Sequence, residues 1–433
     1  MIRQLLFSTL IFHCSFLIAR AQSPVISYAH SVIDTLTSPA MDGRGYVDSA
    51  DFNAATFIQH EFQKLKLLSF TTDYFQPFYL DVNVFPGKMN LKLNGQKLIP
   101  GKDFLINASS PSLKGKMPAH FVDYTSVDTS LNAAEFLFSA IKKCDDRRGA
   151  LVLNRNQFTK KQFSLITDSL ADADFLNARA LLILDTSKLT WDGSSAQVKI
   201  SQFIIRKPAG IKEKSTLKVN AQAVLKKNYL TRNVIGYIKG SLQPDSFIVF
   251  TAHYDHLGQM GDGIYFPGAN DNASGISMVL NLADYFTANP PGYSISFICF
   301  SGEELGLLGS GYYVEHPLFP LGTIKFLVNL DIVGTGGDGI KVVNATEFPK
   351  QFDELLEINA EKKYMKLISP RGKAANSDHY PFYLRDIPCF FIYTMGGISA
   401  YHDVNDRAET LPLTKYEELF RLLVEFEMSV EEW

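Results

Sequence analysis

The sequence predicts an α/β fold: a mixed, largely parallel twisted sheet with helices on both faces, plus a smaller inserted β-rich domain. Three observations carry this. Near-continuous apolar runs at 247–252, 295–300, 324–330 and 388–394 read as strands buried on both faces. Helical patterns lie between them, as in the stripe Ile276, Val279, Leu280, Ala283 and Phe286. Strands alternating with helices need a sheet covered on both sides. Ahead of them, from about residue 88 to 225, the texture changes to short alternating runs such as Met89-Asn90-Leu91-Lys92-Leu93, punctuated by Asn94-Gly95 and Pro100-Gly101.

Taken in order, the chain begins with Arg3, an apolar run from Leu5 to Ile18, and the small-x-small triplet Ala19-Arg20-Ala21. This pattern is expected of a signal peptide over 1–21, and hence of an exported protein, periplasmic or extracellular. No later stretch is long and apolar enough for a membrane span. Phe52, Ala55, Phe57, Ile58, Phe62 and Leu65 then recur at near-helical spacing. Residues 22–87 and 226–433 are read as one main domain, with 88–225 inserted. Runs at 149–153 and 180–184 within the insertion look like buried strands.

Composition narrows the function. Apolar residues are 46% and charged residues 20% of 433, near the globular average, which excludes disorder, collagen and coiled coil. Lys and Arg number 42 against 45 Asp and Glu, with no basic run, so nucleic acid is set aside as a partner. Four cysteines cannot form a disulfide framework in so long a chain. Cys14 falls in the leader, leaving Cys144, Cys299 and Cys389; the last two sit in apolar runs and are expected as buried thiols.

The chemistry gathers where the strands end. His253 follows the first run of the second half, Glu303 and Glu304 the second, and Asp331 the third. Those carboxyl ends form the edge at which open α/β sheets bind ligands. His, Asp and Glu without cysteine suit a metal held by nitrogen and oxygen, with zinc favoured. Asp271, Glu303, Glu304 and Asp331 with at least two histidines exceed what one zinc needs and could hold two ions. His379 and His402 both lie near this edge, and topology alone leaves the choice open. His256 is a close neighbour of His253; His30, His60, His120 and His316 read as ordinary surface or core histidines. Singly, a His-x-Asp or a Glu-Glu pair is usually incidental; the weight lies in their joint occurrence.

TAHYDHLG (251–258), GANDNASG (268–275), SGEELGLLGS (301–310), NLDIVG (329–334) and the Tyr401-His402-x-x-x-Asp406 pattern together resemble the co-catalytic di-zinc aminopeptidase family, relatives of glutamate carboxypeptidase and glutaminyl cyclase. The resemblance covers about 226–415, with a weaker echo in LTSPAMDGRG (36–45). It implies two zinc ions held by His253, Asp271, Glu304, Asp331 and His402, with Asp271 bridging, and it prefers His402 to His379. It implies Glu303 as general base and Asp255 as the carboxylate that hydrogen-bonds the far nitrogen of His253. Tyr401 resembles a tyrosine beside the carbonyl oxygen, and the peptide after the bridging aspartate, Asp271-Asn272, is implied to be cis. The residues 88–225 faintly resemble a protease-associated domain, able to roof the cleft. The expected activity is zinc-dependent removal of N-terminal residues from peptides. A carboxypeptidase or dipeptidase, a glutaminyl cyclase and a non-catalytic binding protein on the same fold are the competing readings. Sequons at Asn107, Asn272 and Asn344 are read as incidental, the second lying inside the metal motif.

Overall fold

The structure, a computed structural model, describes residues 23–121, 135, 149–157, 178–206 and 215–430. The expected signal peptide and Cys144 lie outside the described residues. Pro24–Leu36 opens the described chain as a helix: the Ser23 side chain accepts a hydrogen bond from the Ile26 amide, and Pro24 occupies the first turn, where its missing N–H costs nothing.

The main sheet has eight strands in the spatial order Phe75–Val84, Val224–Ile238, Tyr293–Phe300, Gln243–His253, Ile324–Leu330, Cys389–Met395, Gly339–Val343 and Ile368–Arg371. The four central strands run parallel, from Tyr293–Phe300 to Cys389–Met395. Antiparallel pairings flank them on both sides. Alternation along one strand places the two helical layers. Ile248, Phe250 and Ala252 pack in one core with residues of Pro24–Leu36, Ser274–Ala288 and Tyr416–Val430. Phe247 and Val249 face the opposite layer, with Tyr313 of Leu308–Glu315 and Phe382 of His379–Tyr383. Both Cys299 and Cys389 are buried free thiols in this sheet. No helix among the described residues is long and apolar enough to cross a membrane.

A second eight-stranded sheet takes all its strands from residues 89–221. Its centre is also parallel, running Leu113–Phe121, Ala150–Asn154, Ala180–Leu184 and Ser201–Ile205 side by side. Its core is not closed on itself. Leu257, Met260 and Phe266, just beyond the His253 strand, are buried among its residues, and Phe266 stacks on Trp191 with ring centroids 4.8 Å apart. The chain leaving the active edge of the first sheet is thus anchored in the core of the second.

Phe266→Ala should therefore destabilise strongly, by about 3–5 kcal/mol as expected for a buried aromatic truncated to alanine. Urea unfolding checks this; a loss under about 1 kcal/mol, well below the usual range for such a truncation, would contradict the shared core.

Candidate metal centre

Four acids and two imidazoles converge at the carboxyl ends of the central strands. His253 is the last residue of its strand and is buried. Its Nε2 lies 3.3 Å from Asp271 Oδ1, 3.4 Å from Asp331 Oδ1 and 3.8 Å from Glu303 Oε2. His402 approaches from the opposite side, its Nε2 3.2 Å from Asp271 Oδ2 and 3.1 Å from Glu304 Oε2. The two oxygens of Asp271 therefore face two different imidazoles.

The surrounding backbone is built to present Asp271. Residues Ala269–Ala273 form a single irregular helical turn ahead of Ser274–Ala288, and the Asp271–Asn272 peptide is cis. The amides of Asn270 and Asp271 donate to the two oxygens of Asp406 at 2.9 and 3.0 Å. Asn272 donates to the Leu330 carbonyl at 2.9 Å and accepts from Gly275 N at 2.9 Å, tying the turn to the strand that carries Asp331. A Cβ on Gly275 would collide with the Asn272 side chain and the Leu330 carbonyl, so the close approach requires glycine there. Asn272 and Asn344 are buried, which fits the incidental reading of their sequons.

Arg44 completes this framework. Fully buried, it donates to the carbonyls of Leu36, Tyr254, Pro267, Gly268 and Asp271 at 2.7–3.3 Å. Burial pulls its pKa down to about 10, against the upward pull of Asp271, Asp406, Asp255 and Glu304, so it stays charged at neutral pH. The LTSPAMDGRG stretch contains it, but nothing in its local sequence marks a buried arginine.

The adjacent acids Glu303 and Glu304 have different surroundings. Glu304 Oε1 is 2.6 Å from His256 Nδ1 and its other oxygen faces His402. Burial and Asp271 push its pKa up, but His402 and His256 outweigh them and hold it at about 2. Glu303 is pushed well above the usual carboxylate range by burial, with Asp331, Glu304 and Asp378 adding to it and His253 opposing. One group is kept as an anion and its neighbour is disposed to take up a proton, the separation by which paired carboxylates divide roles.

Asp255 departs from expectation. His253 Nδ1 is 3.1 Å from the Asp255 main-chain carbonyl, whereas the Asp255 carboxylate lies 3.8 Å away. That carboxylate is engaged elsewhere: Oδ2 accepts from Tyr46 at 2.9 Å and Oδ1 from the Glu303 amide at 3.2 Å. It holds the Glu303 backbone, and the carbonyl fixes the imidazole. Asp331 Oδ2 accepts from Ser377 Oγ at 2.9 Å, which in turn accepts from Asn329 at 2.8 Å.

His379 is not among the converging donors. It is buried against Phe391, with ring centroids 5.3 Å apart, and burial lowers its pKa to about 4. His60 and His316 are exposed, and His30 and His120 half-buried. Tyr401 stacks on His402 at 4.0 Å and, with Leu307, Ile332 and Phe391, lines a cavity of about 410 Å³ that opens onto Asp271, Glu303, Glu304 and Asp331. Sequence reasoning assigned no role to Arg44, Tyr46, Asp192, Ser377 or Asp406 and gave His256 little weight. Asp406, four residues beyond His402, Arg44 in the LTSPAMDGRG stretch and His256 in TAHYDHLG lie inside the quoted motifs, whereas Tyr46, Asp192 and Ser377 lie outside them.

The donor set fits a metal. Two overlapping groups, His253–Glu303–Asp331 and His253–Asp271–Glu304, bring their donor atoms within 4.8 Å of one another. His253 Nε2 and Asp331 Oδ1 are buried without a hydrogen-bond partner, the state of ligand atoms aimed at a cation. Nitrogen and oxygen donors at this number suit zinc.

Comparison with known proteins agrees with this chemistry. Residues 233–426 match the model of a family described as Peptidase family M28. "Aminopeptidase YwaD" of Bacillus subtilis is 28% identical over 369 residues, 82% of this chain and 73% of that protein. A "probable zinc metalloprotease" of Pyricularia oryzae is 35% identical over 115 residues, 25% of this chain and 22% of that one. Among solved structures, a zinc aminopeptidase from Bacillus subtilis superposes with a TM-score of 0.68 at 22% identity, covering 94% of each chain. A peptidase M28 precursor from Shewanella amazonensis gives 0.66 at 15% identity and 93% of each. At those identities the two structures establish the shared fold.

Arg44→Met should cost on the order of 3–5 kcal/mol, because it leaves buried carbonyls without their donor, at about 1–3 kcal/mol for each left unsatisfied. Chemical denaturation of the metal-free protein measures it; near-wild-type stability would contradict the role given to Arg44.

Proposed function

We propose that this zinc metallopeptidase, whose residues 233–426 match the Peptidase family M28 model, is an exported aminopeptidase that holds two zinc ions and releases N-terminal residues from peptides. The observation that carries the reading is Asp271, whose two oxygens face His253 and His402 at 3.3 and 3.2 Å. His253 and Asp331 would hold one ion, His402 and Glu304 the other, and Asp271 both. A zinc ion held there would act as a Lewis acid, polarising the scissile carbonyl and making a water easier to deprotonate.

The chain's own residues do the rest. Glu303 takes the proton from the attacking water and passes it to the leaving amine, and its raised proton affinity suits that traffic. The Asp255 carboxylate holds the Glu303 amide in place. Tyr401, which lines the cavity, would donate to the oxygen that gains charge. The second sheet, over 88–225, roofs the cleft as a protease-associated-like domain and favours short peptides. The leader over 1–21 directs export.

A panel of aminoacyl amides, carboxyl-terminal amides and N-terminal-glutamine peptides tests the direction of attack. The reading requires hydrolysis of the first group; cleavage only at the carboxyl end, or cyclisation of glutamine, would overturn it. Glu303→Gln should keep its metal content and lose about 10²–10⁴-fold in turnover, the usual contribution of a general base. Near-normal activity would remove Glu303 from that role. Metal analysis of His402→Ala should show one ion lost or weakened, while His379→Ala keeps both; the reverse pattern would exchange the two assignments.

A further inference from the structure

The loop that carries His402 is gripped by a segment of the second sheet. Between Ala180–Leu184 and Ser201–Ile205 the chain passes across residues 399–403. Lys188 Nζ donates to the Ser399 and Tyr401 carbonyls at 2.6 and 3.0 Å and pairs with the Asp403 carboxylate at 2.8 Å. The Trp191 amide donates to the His402 carbonyl at 2.9 Å. Its indole donates to the Ile106 carbonyl at 2.7 Å and stacks on Phe266, rooting the segment in the second core. Gly193 lies so close to Glu304 that a Cβ there would meet the Glu304 carbonyl and the Leu305 side chain. Between Trp191 and Gly193, Asp192 places Oδ1 3.1 Å from His402 Nδ1.

We propose that Asp192 is a positioning residue for His402, so that the second sheet completes the metal centre and does more than cover it. The inference rests on the reading of His402 as a zinc ligand. A neutral imidazole carries its proton on one nitrogen only. A carboxylate that accepts a hydrogen bond from Nδ1–H keeps the proton on that nitrogen and leaves the Nε2 lone pair free, and Nε2 is the atom that faces Asp271 and Glu304. His253 meets the same need through a main-chain carbonyl, which is why its own neighbouring carboxylate is released for Glu303.

The Asp192 side chain is 79% exposed, while the His402 side chain is 11% exposed. A single exposed hydrogen bond contributes little to folding. Its effect should fall on metal affinity, and this separates positioning from a merely structural role.

The test is zinc competition against a chromophoric chelator, on the full chain, for wild type, Asp192→Ala and Asp192→Asn. Asp192→Ala should weaken one of the two zinc sites about 10–100-fold, as removal of a ligand's outer partner does, and leave the other unchanged. The metal-free protein should melt as wild type does. Asp192→Asn, which keeps an acceptor oxygen, should recover most of the loss, and activity of Asp192→Ala should return as free zinc is raised. Unchanged affinity at both sites, equal losses in the two variants, or a raised KM with unaltered zinc binding would overturn the inference. A wild-type chain that binds fewer than two zinc ions would instead overturn the reading of the site on which it rests.

Discussion

Everything at the active edge answers to one electrostatic constraint: four carboxylates are brought together out of water. Buried Asp271 and Asp331 and half-buried Glu303 and Glu304 line one cavity, and taking even one anion out of water is expensive without a compensating charge. The fold offers three imidazoles, His253, His256 and His402, and a buried guanidinium nearby, but Arg44 spends its donors on carbonyls rather than on these acids. Bound metal would supply the remaining compensation, and the convergence of unpartnered donor atoms on one another suits it. The parallel strands make this possible, because adjacent strands end together and their following residues fall side by side.

Holding the acids apart from one another, and each at its own angle, falls to a set of neutral and charged braces. Asp406 takes both amides ahead of the Asp271 side chain, Asn272 ties the turn to the Asp331 strand, and Ser377 fixes one oxygen of Asp331. His256 and Asp255 do the corresponding work for the Glu303–Glu304 pair. These contacts span 46 to 136 residues of sequence, so the site is a product of tertiary packing and not of any one segment.

That explains what could be read beforehand. The strand runs near 247, 295, 324 and 389 were legible because a strand buried on both faces is apolar throughout, and His253, Glu303, Glu304 and Asp331 follow them directly. The strand Phe75–Val84 was overlooked although Phe78, Leu80, Val82 and Val84 alternate into the core; the helical pattern just before it masked the change of period. His379 and His402 were inseparable by topology. The structure parts them: His379 turns under Phe391, while His402, with φ +51°, swings toward Asp271. Asp192 carried no signal, and Arg44 only the weak echo of its stretch, because their partners lie some 210 residues away or are main-chain carbonyls. The Asp255 carboxylate departs from what the resemblance implies because Tyr46 and the Glu303 amide claim its oxygens.

The account stands or falls on whether Asp271 joins two cations. A crystal structure of the zinc-loaded chain, with anomalous scattering measured on both sides of the zinc absorption edge, addresses this directly. The account predicts two anomalous peaks about 3.5–4 Å apart, one beside His253 and Asp331, the other beside His402 and Glu304, each touching an oxygen of Asp271. A single peak, or two peaks that leave Asp271 on one of them alone, would contradict it.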